Sequence, residues 1–261
     1  ANEILEKAVA IFKDNLGEDH IEVAWSSVYL AESYSHIGYY DKAINLLERC
    51  KVIYKKHEKK TYVSTNAIFI HLGSALLLAD KNEEGKQLIE VGIEHLKDRG
   101  IETDFRMPWV FMNLGIAHMR LGNFEEADKV FAISYKLSEK HYGEDHIETA
   151  KILMRMGMNY CRSGDEDKGI KHLEKSLMKM QKTGHTDAYI ALEALAEVCY
   201  HKSQKLAKLD IEKAREFLNQ SNVYLKSAFE IVQEKFPKNS PHIERIKAKL
   251  AQQNEAQENL V

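Results

Sequence analysis

The amino-acid sequence predicts an all-α fold, a right-handed α-solenoid built from repeated helix–turn–helix units. Two observations lead to this prediction: a nine-residue string returns at a fixed offset, and the segments between the recurring turns have the apolar spacing of amphipathic helices. The composition agrees, since 44% of the 261 residues are hydrophobic and only three are prolines. We expect such a chain to fold in water, because no apolar run approaches the ~20 residues of a membrane-spanning helix.

The recurring string is Leu16–Ala24, which reads Leu-Gly-Glu-Asp-His-Ile-Glu-Val-Ala and returns with small changes as Tyr142–Ala150. The offset between the two strings is 126 residues, or three periods of 42. The same period carries Gly38 onto Asp80, Gly122 and Gly164. A repeat of this length holds two helices and their turns, so the sequence predicts stacked helical pairs.

Each repeat is predicted to contain a first helix, A, and a second helix, B. Helix A is expected at residues 20–37, 61–79, 104–121 and 146–163, and helix B at residues 41–57, 83–99, 125–141 and 167–182. Glycines 38, 122 and 164 fall just after helix A, where a left-handed backbone favours glycine. Acidic residues begin each helix B, at the positive end of the helix dipole. The aspartate of Gly-Glu-Asp-His is expected to cap the following helix A.

The repeats account for residues 1–261 as a single domain. Residues 1–15 form half a repeat, residues 16–57, 58–99, 100–141, 142–183 and 184–236 form five repeats, and residues 237–261 form a closing helix. In the fifth repeat, about six extra residues between His201 and Asp210 either lengthen helix A or form a longer loop. The first residue lies inside a helix and is not Met, which indicates an excised fragment of a longer protein.

The alternation of large and small residues resembles the tetratricopeptide repeat. The third repeat shows it best, at Phe111, Leu114, Gly115, Ala127 and Phe131. The 42-residue period and the inter-repeat Gly-Glu-Asp-His-Ile-Glu-x-Ala are similar to the kinesin-light-chain subtype, although the second repeat lacks that string. The resemblance implies a superhelix that binds protein or peptide partners. Kinesin-light-chain repeats recognise cargo peptides with tryptophan and acidic residues, and the resemblance implies that Asn113 holds a ligand's backbone or carboxylate.

One stripe of helix A carries the side chains with binding chemistry. In a stacked solenoid, the stripes of successive A helices line up on the inner wall. The predicted peptide-binding residues are Trp25, Tyr29, His71, Trp109, Met112, Asn113, Met119, Arg120, Lys151, Met154, Arg155, Met158 and Arg162. Aromatic, Arg and Met side chains are common anchors at interfaces. We therefore expect this wall to bind a protein or peptide segment that has an apolar anchor and acidic neighbours.

Simpler roles are open for the same residues. Val28, Ile70, Met112 and Met154 also face neighbouring repeats, so packing between repeats is an equally good interpretation for them. Trp25 and Trp109 lie at helix starts, where core or staple roles are common. The four basic residues, Arg120, Lys151, Arg155 and Arg162, are also consistent with an ordinary solvated face.

Composition and the motifs that are missing limit the partners and cofactors that we expect. The net charge of −3 gives no general reason to expect nucleic acid or an anionic membrane as partner. Three cysteines cannot all pair, which favours a reducing, cytoplasmic compartment. The 12 histidines lack metal-binding spacing, and we expect no metal, no cofactor and no catalytic residue. Arg162 could lower the pKa of the Cys161 thiol, but a small packed residue is the simpler interpretation.

The predicted function is a non-enzymatic scaffold for a protein or peptide, expected to be monomeric. One alternative is a signalling receptor whose groove binds a short peptide and changes its superhelical pitch, as bacterial tetratricopeptide regulators do. Another is an accessory array of a larger enzyme, with the catalytic part outside residues 1–261.

Overall fold

The computed structural model describes residues 2–57, 64–97 and 104–259, and over these residues the chain is entirely helical. Twelve helices occur there and no strand: α1 (Asn2–Leu16), α2 (Ile21–His36), α3 (Tyr40–Lys56), α4 (Ser64–Leu78), α5 (Asn82–Lys97), α6 (Met107–Arg120), α7 (Phe124–Tyr142), α8 (Ile147–Ser163), α9 (Glu166–Lys182), α10 (Ala188–Leu206), α11 (Ile211–Lys235) and α12 (Pro241–Asn259). The predicted all-α fold of helix–turn–helix repeats is confirmed.

The helices begin and end close to the predicted positions. The start predicted at residue 61 and the end predicted at residue 99 lie outside the described residues. In the fifth repeat, α10 continues to Leu206 and α11 begins at Ile211, so the extra residues lengthen helix A. None of the described helices is long and apolar enough to cross a membrane.

The chain divides into two compact units, Ala1–Val130 and Phe131–Val261, with the division inside α7. In the first unit, α2, α3 and α4 share a core that includes Leu47, Tyr54 and Leu72. In the second unit, the core runs from α8 to α12 and includes Met154 and Leu195. Each large apolar side chain that is fully buried in this way stabilises the fold by roughly 1.5–3 kcal/mol.

Helices A and B approach closely where both carry glycine. A Cβ placed on Gly73 would lie 2.7 Å from the carbonyl oxygen of Gly85, and one placed on Gly157 would lie 2.9 Å from that of Gly169. No side chain fits at such a distance without a shift of the backbone. The small residues of the repeat pattern therefore set the distance between α4 and α5 and between α8 and α9.

The turns after helix A have the expected left-handed backbone. Gly38, Gly122 and Gly164 have φ angles of 90°, 79° and 100°. Asp80 takes the same place after α4 with a φ of 61°, and no other non-glycine residue in the described part has a positive φ. Arg120 holds this aspartate, since its Nη1 lies 2.8 Å from Asp80 Oδ1 and also donates to the carbonyl oxygen of Leu77.

Histidine, rather than the expected aspartate, caps the A helices that follow Gly-Glu-Asp-His. The Nδ1 atoms of His20 and His146 each accept a hydrogen bond, at 3.2 Å, from the backbone N–H two residues later. The prediction that Asp19 and Asp145 cap these helices is wrong. Their carboxylates instead pair with lysines of helix B in the same repeat: Lys56 at 2.7 Å and Lys179 at 2.9 Å. These two aspartates thus connect the linker between repeats to helix B.

Candidate functional site

Five residues on three A helices form an aromatic surface in the first unit. We call this surface the first face; it consists of Trp25, Tyr29 and Glu32 on α2, His71 on α4 and Trp109 on α6. Helix α4 contacts both α2 and α6, so these side chains come from successive neighbours. The period of the A helices places all five on one side of these helices.

The two aromatic residues of α2 are open to solvent. Trp25 is 41% exposed and Tyr29 is 47% exposed, and their rings meet edge to face with centroids 5.4 Å apart. One helical turn separates them, which places both rings on the same side of the helix. The two exposed rings offer adjoining apolar area to a partner.

The remaining residues of the first face join the helices together. The ring centroids of His71 and Trp109 lie 4.7 Å apart, and both rings are half-buried. His71 Nδ1 lies 3.0 Å from Glu32 Oε1 and so connects α4 to α2. Glu32 is not among the predicted binding residues, because its contact with His71 depends on how the two helices pack.

The structure places four of the predicted binding residues in the interior. Met112, Asn113 and Met119 of α6 are 9%, 4% and 3% exposed, and Met154 of α8 is 1% exposed. Asn113 Nδ2 donates to the carbonyl oxygen of Trp109 at 2.9 Å, within its own helix. Packing between repeats, the interpretation left open from the sequence for Met112 and Met154, describes the observed positions of these two side chains.

Four residues of α8 form a separate, cationic surface in the second unit. We call this surface the second face; its members are Lys151, Arg155, Met158 and Arg162. Lys151 Nζ lies 2.9 Å from Glu148 and 3.8 Å from Asp187, so two carboxylates balance its charge. Arg155 Nη1 lies 3.6 Å from Met158 Sδ, and Arg162 is exposed. Arg120, the fourth predicted cation, is engaged by Asp80 in the first unit.

The cysteine thiols lack the character of nucleophiles. Burial raises the pKa of Cys161 to about 11, and the nearby Glu166 carboxylate adds to the rise, so the thiol is protonated at neutral pH. The effect considered for Arg162 on this thiol is therefore wrong. Burial also raises the pKa of Cys50 to about 12 and that of Cys199 to about 11. Across the described residues, no three His, Cys, Asp or Glu side chains are grouped to hold a metal ion.

The fold and the glycine contacts define a repeat protein of paired helices, and comparison with known families indicates which repeat it is similar to. The model of the tetratricopeptide repeat family matches residues 1–56 and 106–178. The match covers just under half of the chain and includes segments of both compact units. No match was found among curated proteins.

Solved structures with similar folds include three of interest. BtubC (BKLC) from P. vanneervenii is 16% identical, with a TM-score of 0.59 over 90% of this chain and 90% of that chain. A putative kinesin light chain from Podosopora anserina is 22% identical, with a TM-score of 0.51 over 70% of this chain and 86% of that chain. The Rap conjugation gene regulator of the plasmid pLS20, in complex with the Phr* peptide, is 16% identical, with a TM-score of 0.61 over 100% of this chain and 71% of that chain. At these identities the likeness shows the fold alone.

Proposed function

We propose that this protein is a non-enzymatic scaffold that captures a protein or peptide segment. The observation that carries the proposal is the exposed pair Trp25 and Tyr29 on α2, next to the His71–Trp109 pair on neighbouring helices. Aromatic side chains that are held in place but open to solvent are typical energetic anchors of interfaces. The Rap regulator with a similar fold was solved in complex with a peptide, which supports this class of function by analogy.

Each face suits a different kind of ligand residue. The first face offers aromatic area to an apolar anchor residue, while the second face offers Arg155 and Arg162 to acidic residues. Met158, half-buried between these arginines in sequence, gives the second face an adaptable apolar surface. The proposed partner is therefore a protein or peptide segment with an apolar anchor and acidic neighbours. The proposed function involves no nucleic acid, no membrane insertion and no cofactor.

We further propose a single array of 42-residue repeats of the kinesin-light-chain type, acting as a cytoplasmic monomer. Two repeated roles support that period. His20 and His146 cap their helices in the same way, 126 residues apart in sequence. The glycine pairs 73/85 and 157/169 make the same close approach, 84 residues apart in sequence.

The proposed function is tested by capture of partners from a lysate and by the fluorescence of the purified complexes. Both tryptophans of the chain belong to the first face, so tryptophan emission reports on that surface. We expect Tyr29→Ala to weaken capture about tenfold or more, as for an interface anchor, without a change in melting temperature. Val52→Ala is the matched control, because Val52 is 54% exposed on α3 of the same unit, outside both faces. Equal capture by both variants would contradict the proposal.

A further inference from the structure

A buried carboxylate lies on α10 at a position that is apolar in the other A helices. The pair Leu195-Ala196 aligns with Leu30-Ala31, so Glu193 aligns with Val28 and, one period at a time, with Ile70, Met112 and Met154. Those four residues are buried, with exposures of 3%, 1%, 9% and 1%. Glu193 is only 7% exposed, so the fifth repeat buries a charged group where its counterparts bury hydrocarbon.

Two basic residues of α12 balance this carboxylate. Arg245 Nη2 lies 2.5 Å from Glu193 Oε2, and its Nε lies 3.3 Å from Oε1. Lys249 Nζ lies 3.2 Å from the same Oε1. Arg245 and Lys249 are one helical turn apart and remain 42% and 36% exposed, whereas the Glu193 side chain is 9% exposed. Solvent anions therefore reach the basic partners more easily than solvent cations reach the acid.

The rest of α12 packs unevenly. Its start is anchored by an aromatic group in which the ring of His242 lies 5.5 Å from Tyr189 and 5.4 Å from Phe236. Ile243 and Ile246 are buried in the same core. This half of α12 has the packing of an ordinary repeat helix.

The second half of α12 is held by amides. From Lys247 to Gln257, Gln253 is the only residue that is fully buried. Asn222 Nδ2 of α11 donates to Gln257 Oε1 at 3.1 Å, and Gln257 Nε2 donates to Asn219 Oδ1 at 2.9 Å. The buried oxygens Asn222 Oδ1 and Gln253 Oε1 accept no hydrogen bond from the described residues. Unsatisfied buried acceptors weaken an interface, so the Lys249–Glu193 ion pair, together with the partly buried Leu250, carries a large share of the binding of this half of α12.

We propose that the surface of α10 and α11 around Glu193 is a docking site for a cationic amphipathic helix, and that α12 is its displaceable occupant. The pattern that fits is the one α12 carries, with apolar residues at the positions of Ile246 and Leu250 and basic residues at those of Arg245 and Lys249. A buried acid must keep a cationic partner, because an unpaired charge there is costly. A partner helix with two basic residues one turn apart supplies that charge when α12 leaves. This site is independent of the two proposed peptide faces, whose expected ligand is acidic.

Hydrogen exchange of the full chain tests whether α12 is displaceable. Exchange of the amides from 247 to 257 is measured at about 50 mM and about 1 M salt, which screens surface charges strongly. We expect at least about tenfold faster exchange at high salt in the parent, with α10 and α11 unchanged as internal controls. Glu193→Met, which installs the residue found at this position in α6 and α8, is expected to abolish the salt effect. Exchange that is insensitive to salt in the parent, or equally sensitive in Glu193→Met, would overturn the proposal.

Binding of a synthetic peptide tests the docking site itself. The probe is a labelled peptide with the sequence of residues 241–257, and the control peptide has glutamate in place of Arg245 and Lys249. We expect the first peptide to bind the double variant Arg245→Ala/Lys249→Ala, whose own α12 is loosened, at least about tenfold more tightly than it binds the parent. The control peptide should not bind. Equal binding of both peptides, or no binding of the first to the double variant, would refute a charge-selective site.

Discussion

Replacement of Gly169 by alanine tests whether the close approach of α8 and α9 is essential to the repeat. A Cβ at this position would lie 2.8 Å from both Cys161 N and Gly157 O, and closer still to Cys161 Sγ. Two of these three atoms belong to the backbone, so a side-chain rotation cannot remove the overlap. The two helices have to move apart, and with them the core residues that they share.

Two opposing effects decide whether Gly169→Ala stabilises or destabilises the protein. Alanine in place of a helical glycine is worth about 0.5–1 kcal/mol through backbone entropy and helix propensity. Overpacking in a dense core costs about 1–3 kcal/mol, and contact with backbone atoms places this site in the upper part of that range. We expect Gly169→Ala to destabilise the protein by about 1–2 kcal/mol. At about 2–4 °C per kcal/mol for chains of this size, the melting temperature should fall by about 2–8 °C.

The assay is urea unfolding followed by circular dichroism, with the slope checked for a constant m-value. Cys161→Ala and the double variant complete a mutant cycle, because removal of Sγ relieves one of the three contacts. We expect a favourable coupling of about 0.5–1 kcal/mol and incomplete rescue, since the backbone contacts remain. A Gly169→Ala variant as stable as the parent, or more stable, would refute the argument that these glycines set the helix separation.

Three further predictions concern caps, pH and the second face. His146→Ala should lower the free energy of unfolding by about 1 kcal/mol, whereas His146→Asn should retain most of it, because Asn is a good acceptor at the N-cap; equal losses in chemical denaturation would contradict a capping role. Burial, with a contribution from Lys86, lowers the pKa of His118. As the pH falls, the unfolded state binds the proton before the folded state does, so stability should be lost below about pH 6.5. His118→Leu should flatten the profile of melting temperature between about pH 5 and 7. An unchanged profile would exclude His118 as the cause. Charge reversal at Arg155 and Arg162 should abolish capture of an acidic partner with the melting temperature unchanged, and retained capture in a pull-down would contradict the role proposed for the second face.

The helices and turns were predictable because they depend on local sequence. Apolar spacing located the helices, and glycine marked the left-handed turns at positions 38, 122 and 164. Asp80 shows the limit of that reasoning. Its positive φ is stabilised by Arg120, which lies 40 residues further along the chain, and no local pattern announces such a partner.

The prediction that aspartate caps these helices failed for a geometric reason. Sequence preference favours aspartate at an N-cap, and Asp19 and Asp145 immediately precede the histidines that cap the helices. The histidine backbone is extended at ψ 145° and 147°, which brings Nδ1 within reach of the second backbone N–H of the helix. The aspartates are meanwhile drawn to lysines of helix B, and that contact requires the folded hairpin.

Periodicity predicts the direction in which a helical side chain points but not how deeply it is covered. Tyr29 and Met154 belong to the same predicted stripe, yet Tyr29 is 47% exposed and Met154 is 1% exposed. The difference lies in their positions within the repeat: Met154 aligns with the buried Val28, whereas Tyr29 aligns with the half-buried Arg155. Charge balance is also non-local, since Lys151 has Asp187 as a partner and Glu193 has Arg245. The site could therefore be predicted only as a set of candidate positions.

Some positions are shared between repeats and determine the packing of the helices. Other positions differ between repeats and determine the chemistry of the exposed surface. The glycine pairs 73/85 and 157/169 set the helix distance in the second and fourth repeats, and His20 and His146 cap the A helices of the first and fourth repeats. At the position of Tyr29, successive repeats carry His71, Asn113 and Arg155, which span aromatic, neutral polar and cationic chemistry on one geometric template. Asn113 turns inward to its own helix, and the other three lie at least partly exposed. Under the proposed function, varied side chains at one position give the repeats different binding chemistry, so specificity rests on these positions rather than on the shared ones.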